Sequence, residues 1–380
     1  MKNKILKYDC LIVGSGLLGS LLGIALIKKK YKILIIEKEN LSNRAFSDQR
    51  TLAVNANSRD FLKSINLWEK LKNQFTNIDQ ITIKTFLNSD ELVFKEQQES
   101  MGSVIYNKEL LSIAHKFLIN QNSIIDNTLI NLNQLKVDDN MQIKNKNYSF
   151  KKIIIAGGKQ FREQMDPYCF LDGSSSQKAH VGFFNHQKSH DNIAYENFTK
   201  QGPLAILPAP HKSDKFSTFI YSTSDLISKP SIEKVISKNF KKTHGNIQLN
   251  KNIFSYPINP YLFNPKKKYK DLIFIGDSFR SIHPVAGQGW NLGVKDIQSF
   301  LNLLNSKALD SKNFNAIYYS RRKIESYLYF AFTEVINKTF QLHTPLANFF
   351  GSNSLKALKR LSFLRTLFIK QAMGINKIIN

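Results

Sequence analysis

Gly14-Ser15-Gly16-Leu17-Leu18-Gly19 sets three glycines where main chain alone can meet a phosphate. In a G-x-G-x-x-G run the first glycine makes a tight turn, the second lets the backbone approach a pyrophosphate, and the third lets a helix pack on a strand. The opening N–H groups of that helix, with their partial positive charge, then face the phosphates. Glu37 follows Gly19 by 18 positions, close to the roughly 20 expected for an acid that holds a ribose hydroxyl. A carboxylate there disfavours a 2′-phosphate, so this pocket suits FAD or NAD and not NADP. Gly14, Gly16, Leu17, Leu18, Gly19, Glu37 and Lys38 are the residues expected around the adenosine and pyrophosphate.

A second cluster decides for the flavin. Gly276-Asp277 closes an apolar strand, and His283-Pro284-Val285-Ala286-Gly287-Gln288-Gly289-Trp290-Asn291-Leu292-Gly293 follows. The glycines and the proline make a loop whose backbone can lie against a flat ring, and the next helix aims its N-terminus at that ring. Such a dipole stabilises the negative charge that a reduced flavin carries near N1 and the C2 carbonyl. Asp277 is suited to a sugar-alcohol hydroxyl. Gly276, Pro284, Gly287, Gln288, Gly289, Trp290 and Asn291 are expected to line the ring. No further G-x-G-x-x-G marks a separate nicotinamide domain. The two cysteines, Cys10 and Cys169, make neither a disulfide framework nor a zinc site.

Buried parallel strands must carry these loops. Tyr8–Val13, Lys32–Ile36, Lys152–Ala156 and Leu272–Ile275 read as such strands, and Leu17–Lys30 as the first helix. Helices are also expected over 55–75, 108–120, from Gly289 onward, 314–337 and 345–374, with sheet over 78–94 and 178–223. Cys10–Ile27 is an uncharged, mostly apolar run of 18 residues after Lys2, Lys4 and Lys7. Glycines at 14, 16, 19 and 23 put a turn in its middle, so it is read as neither signal peptide nor membrane span. The predicted fold is α/β. A discontinuous Rossmann-like unit (1–76, 101–175, 266–340) carries an inserted β-sheet (77–100, 176–265) and C-terminal helices (341–380).

Composition bounds the partners. The chain has 380 residues, 42% of them hydrophobic, enough for a large core and incompatible with wholesale disorder. Lys and Arg number 54 against 29 acids, a net charge of +25, and 45 of the 54 are lysines. Recognition of nucleic acid leans on arginine forks, so no nucleic-acid partner is expected. From Gly351 on, Leu355, Leu358, Leu361, Phe363, Leu364, Leu367 and Phe368 alternate with Lys356, Lys359, Arg360, Arg365 and Lys370, and there is no acid. Residues 351–380 are therefore read either as a surface for an anionic membrane or as a helix packed on the protein.

The motifs carry a family resemblance. Gly276-Asp277, Ile282-His283-Pro284-Val285-Ala286-Gly287-Gln288-Gly289 and Asn291-Leu292-Gly293 resemble the flavin motif of class A FAD-dependent aromatic hydroxylases, closest to the ubiquinone-biosynthesis hydroxylases. Asp48-Gln49-Arg50-Thr51-Leu52-Ala53 resembles the family's stretch whose Arg approaches the flavin. Asn192–Thr199 with Gly202–Pro208 resembles its substrate-sheet hairpin, and Tyr319, Arg322, Thr333-Glu334, Phe340 and Ala372-Met373-Gly374 resemble its C-terminal helices.

The resemblance implies FAD as cofactor, NAD(P)H as reductant, and transfer of one atom of O₂ through a C4a-hydroperoxyflavin to the ring of a polyprenylated phenol or benzoquinol. It also implies ubiquinone-pathway proteins as partners and a cytoplasmic enzyme held peripherally at the inner membrane. No residue is assigned a catalytic role: His180, His186, His190 and His211 are expected to be structural or superficial, and Tyr195 and Tyr221 to pack. Two segments depart from the family. The usual Ala-Asp-Gly is Ala156-Gly157-Gly158, and the small residues and His after Gly-Asp are Ser278-Phe279-Arg280. Asp172-Gly173-Ser174-Ser175-Ser176 looks like the missing motif but lies too far downstream. Gly157 keeps open a second reading, an organising subunit that binds FAD weakly, beside a third, a flavin reductase or dehydrogenase of the same fold.

Overall fold

The apolar run at the N-terminus divides at Gly14 into the strand Leu6–Val13 and helix α1, Leu17–Lys28. The computed structural model describes residues 5–41, 50–86, 88–96, 99–173, 176–211, 213–224, 227–265, 269–306 and 309–341. Asp48, Gln49 and the expected helix over 345–374 lie outside them. α1 is apolar on every side because it is enclosed on every side: Leu17 and the residues from Gly19 to Leu26 are all buried. Gly23 lets it settle onto the neighbouring strand, where an added Cβ would lie 2.6 Å from Cδ1 of Ile35.

The central sheet has the order Leu272–Phe274, Lys146–Ile155, Leu6–Val13, Ile33–Ile36, Ile124–Ile125, all parallel, with Met141–Ile143 pairing antiparallel to Lys146–Ile155. Both faces are covered, so these strands read as continuous apolar runs. One face packs under α1, α2 (Ala56–Ser64), α3 (Asn107–Asn120) and later helices, and the other against Phe161, Met165, Phe263 and Phe279.

The expected helix over 55–75 is corrected. It stops at Ser64, makes one 3₁₀ turn at Glu69–Leu71, and gives way to the strand Phe75–Ile78. Asn66, Lys72 and Asn73 take left-handed backbone (φ 54°, 46° and 64°), which a helix cannot continue through. Phe75–Ile78 joins Gly102–Tyr106 and Thr51–Asn55 in a small antiparallel sheet.

A seven-stranded sheet takes six strands from the two stretches expected to hold them and a seventh, Ile247–Pro257, from beyond them. Its order is Ile247–Pro257, Lys178–His186, Phe216–Thr223, Gly202–Pro208, Ile193–Thr199, Gln80–Thr85, Asn88–Lys95, antiparallel except where Ile193–Thr199 meets Gln80–Thr85. Helix α4, Lys229–His244, covers one face and packs Ile232, Ile236 and Phe240 onto Phe184, Phe219 and Tyr221. This helix escaped the sequence reading although its ends are signalled: Ser228 accepts from the Ser231 N–H, Pro230 sits in the first turn, and Gly245 (φ 74°) closes it. Helices α5 (Gly289–Ser306) and α6 (Phe314–Gln341) complete the described chain.

A candidate dinucleotide crevice beside an open sheet face

Three loops meet at the carboxyl ends of adjacent parallel strands, where open α/β sheets bind their ligands. They follow Leu6–Val13, Lys146–Ile155 and Leu272–Phe274. Gly14 (φ 106°) turns the first loop so tightly against the second that a Cβ on it would lie 2.6 Å from the Gly157 Cα. A Cβ at Gly19 would strike the Gly14 carbonyl at 2.0 Å. Gly276 (φ 58°) turns the third loop, and Leu18 fills the space beside it, its Cδ1 lying 2.2 Å from where a Gly276 Cβ would be and 2.3 Å from a Gly293 Cβ. Leu18 is thus a packing residue that locks the first loop to the third.

α1 follows Gly16 with no side-chain cap and no acid in its first turn, so its N-terminal N–H groups are left for the crevice. Glu37 is buried; its carboxylate accepts from the Ser15 N–H and hydroxyl, both at 2.8 Å, and from the Glu39 N–H at 3.1 Å. These bonds fix the acid at the end of its strand. Lys38 is exposed, 3.8 Å from Glu39.

The Gly276–Asp277 turn is clamped from both sides. Asp296, buried on α5, accepts from the Gly276 N–H at 2.9 Å, and the Tyr261 hydroxyl donates to the Asp277 carbonyl. Asp296 is held by Arg280 (3.0 Å) and Arg322 (2.8 Å), and Arg322 also reaches Glu325. Burial drives the Tyr261 pKa well up, keeping it a donor, while Asp296 and Glu325 hold Arg322 in its charged form against desolvation. The Asp277 side chain itself is exposed.

Downstream, His283 is fully buried; its Nε2–H donates to Gln177 at 2.7 Å and its Nδ1 accepts from the Val285 N–H at 3.4 Å. Burial pushes its pKa down to about 4, so it anchors the loop as a neutral ring. Pro284, Gly287, Gln288, Gly289 and Trp290 are half-buried along the crevice. Asn291 is buried and turned to the protein: its Oδ1 accepts from the Asn55 N–H at 3.2 Å and its amide donates to the Ala53 carbonyl at 2.9 Å. Arg50 is exposed, its guanidinium 5.4 Å from the Tyr256 ring centre.

The seven-stranded sheet turns its free face to these loops: Ala194 and Leu207 pack on Ala53 and Val104, and Phe198 on Val285. Between those contacts Phe183, Ala205, Phe216, Ile220 and Phe254 are only half-buried. They form an apolar wall, with Tyr106 against Phe183 at 5.9 Å. His180 and His186 lie on the opposite, α4-covered face, with His190 beside His186, and His211 is exposed. Tyr195 and Tyr221 pack in the core under α4, as expected.

Sequence reading missed the ties made by Ser278, Tyr261, Arg280 and Asp296. It also missed Phe161, whose ring lies 2.2 Å from where a Gly157 Cβ would sit. Asp172 is drawn away from the crevice by Arg162 at 2.6 Å. A cleft lined by Asp138, Lys152, Asp271 and Asp310 opens at the amino end of the sheet and contains none of the residues expected to hold the dinucleotide.

A flavin dinucleotide fits what is present: backbone cradled by glycine, an uncapped helix start, an acid at the ribose position, and an exposed Asp277 beside a glycine loop. The comparisons agree. The squalene epoxidase family model matches residues 209–352. The chain is 25% identical to ubiquinone hydroxylase UbiL of Rhodospirillum rubrum, over 97% of this chain and 90% of that protein. It is 19% identical to the 3-demethoxyubiquinol 3-hydroxylase of Escherichia coli, over 96% and 98%. The fold matches PqsL of Pseudomonas aeruginosa with a TM-score of 0.71 at 14% identity, covering 91% of this chain and 100% of that one. It matches p-nitrophenol 4-monooxygenase PnpA of Pseudomonas putida with a TM-score of 0.71 at 13% identity, covering 99% and 100%. The likeness to the ubiquinone hydroxylases therefore runs the length of the chain, as its motifs implied.

Proposed function

From a chain related over nearly all its length to ubiquinone-biosynthesis hydroxylases, we propose an FAD-dependent monooxygenase that hydroxylates the ring of a polyprenylated phenol or benzoquinol. The observation that supports this reading is the apolar wall of Phe183, Ala205, Phe216, Ile220 and Phe254, on the sheet face whose Phe198 packs on Val285 of the Pro284–Trp290 loop. On this reading 1–76, 101–175 and 266–340 form the FAD-binding unit and 77–100 with 176–265 the substrate sheet. The protein works peripherally at an inner membrane.

FAD, when bound and reduced by NAD(P)H, supplies the activation of O₂ and the transfer of one oxygen atom to the ring. The protein binds and orients. Gly14, Gly16 and Gly19 with the α1 N-terminus receive the pyrophosphate, Glu37 the ribose, and Asp277 the ribitol. The Pro284–Trp290 loop would lie against the isoalloxazine, and the start of α5 would support negative charge on it. The sheet wall holds the aromatic ring in place and excludes water, which protects reactive oxygen chemistry from side reactions. Arg50, just ahead of the strand Thr51–Asn55, would approach the flavin.

The test is the absorption spectrum of the purified protein, then anaerobic NAD(P)H, then isotopically labelled O₂ with a prenylated phenol. A flavin spectrum that bleaches, and a product carrying one labelled oxygen, are expected. A colourless protein that takes up no FAD would overturn the reading in favour of an organising subunit. Oxygen uptake with no labelled product would favour a flavin reductase.

A further inference from the structure

Helix α6 buries one side and leaves the other apolar. Ile324 (50% exposed), Tyr327, Leu328, Ala331, Phe332 and Val335 (63% exposed) recur at helical spacing along its outer face. They make a stripe of about 17 Å at roughly 1.5 Å per residue. Exposed apolar residues are ordinary when scattered, but a continuous row on one face marks a contact surface.

The exposed charges on α6 beside the stripe are of one sign. Arg321 and Lys323 are exposed at its start and Lys338 at its end. The acids of α6 are Glu325 and Glu334, and both turn inward; Glu325 is held by Lys295 at 2.6 Å and by Arg322. In sequence, residues 351–380 continue this character, with six Lys or Arg among apolar residues and no acid.

We propose that the outer face of α6 is the surface by which this protein lies on an anionic bilayer. An apolar stripe bordered by cations, on a helix that does not cross a membrane, is the pattern of an interfacial helix. Its side chains enter the headgroup boundary while Lys and Arg meet anionic lipid. No helix among the described residues is long and apolar enough to span. A second copy is the poorer occupant, because two-fold antiparallel pairing of this face would set Lys338 against Arg321 and Lys323 of its mate. The same helix packs Ile336 beside Val285 on its inner side. Docking there brings the crevice next to the lipid that dissolves a prenylated ring; this last point rests on the function proposed above, and the surface itself does not.

The experiment sediments the full chain with vesicles of phosphatidylcholine mixed with phosphatidylglycerol, and with phosphatidylcholine alone. The wild-type protein is expected to pellet with the mixed vesicles. A Leu328→Ser, Phe332→Ser, Val335→Ser variant should partition about tenfold less or weaker still, with an unchanged melting temperature. Val335→Glu alone, at an exposed position that folding does not use, should weaken partitioning in the same direction.

Wild-type protein that stays in the supernatant overturns the proposal, as do variants that pellet like the wild type. A variant that turns a dimer into a monomer at unchanged vesicle binding assigns the face to a second copy. One that melts at a markedly lower temperature assigns it to an intramolecular cover. None of these readouts depends on hydroxylation: failure here removes the membrane placement and leaves the flavin chemistry to its own test.

Discussion

The Gly158 N–H donates to the Ser278 Oγ at 2.9 Å, and the same hydroxyl donates back to the Gly158 carbonyl at 3.3 Å. This pair joins the loop that lacks the family's carboxylate to the loop that departs after Gly-Asp. The two departures are therefore one altered joint. Removing the hydroxyl leaves a main-chain group without its partner, at about 1 kcal/mol. Ser278→Ala should weaken FAD binding about fivefold, read by titration of the apoprotein, with only a small change in melting temperature. Unchanged affinity would show that the joint does not shape the crevice.

Gly157 cannot simply be returned to aspartate. The Phe161 ring occupies the space a side chain would need, and forcing one into a packed site costs typically 1–3 kcal/mol. Gly157→Asp should be destabilised by that amount in urea unfolding. Adding Phe161→Ala should recover at least about 1 kcal/mol relative to the sum of the single changes. Strict additivity would mean that the two side chains do not compete for the same volume.

Asp277 is exposed while its backbone is held at both ends of the turn. Asp277→Ala should leave the fold intact and cost the charged hydrogen bonds to the ribitol, about 1.5–3 kcal/mol. That is a tenfold to hundredfold loss of flavin affinity, read by fluorescence. Flavin retained at wild-type affinity would sink the placement of the ribitol at this residue.

Three histidines give the protein a sensitivity to acid. His186, His190 and His244 are buried together, with His186 and His244 ring centres 4.7 Å apart. Burial lowers all three pKa values, that of His244 to about 3. The unfolded chain takes up protons near the ordinary value of about 6.5 and the folded protein does not. Stability is thus full above that value and falls as the pH drops toward the folded values. For His244 alone the loss is about 2 kcal/mol at pH 5. His244→Phe, which keeps a ring among Phe184, Tyr195 and Phe240, should flatten the pH dependence of the urea midpoint between pH 7 and 5. An unaltered slope would remove His244 from the account.

Much of the crevice was legible because chemistry and covalent geometry act locally there. Gly14, Gly19 and Gly276 are required by close approaches that no other residue tolerates, and the strands around them are apolar on both faces. What the sequence hid depends on distant partners. Nothing near Arg280 says that Asp296, about two turns into α5, will neutralise it, and nothing near Phe161 says that its ring will stand at Gly157. Asn291, expected at the ring, faces Asn55 and Ala53, which precede it by 236 and 238 residues. The helix expected over 55–75 failed where two asparagines and a lysine adopted left-handed backbone, a choice that propensity leaves open.

The seven-stranded sheet interlaces Gln80–Thr85 and Asn88–Lys95 with strands that begin only at Lys178, and the parallel sheet waits for Leu272–Phe274. On the ribosome the early hairpin emerges with its pairing edge vacant until Ile193–Thr199 arrives to take it. Neither layer closes before most of the chain has been made. Long-range pairing of this kind folds slowly and leaves strand edges open to aggregation. The nascent protein is therefore a natural client for a chaperone that shields hairpin 80–95, and a chain stopped before Leu272 should be recovered as aggregate and not as a smaller folded unit.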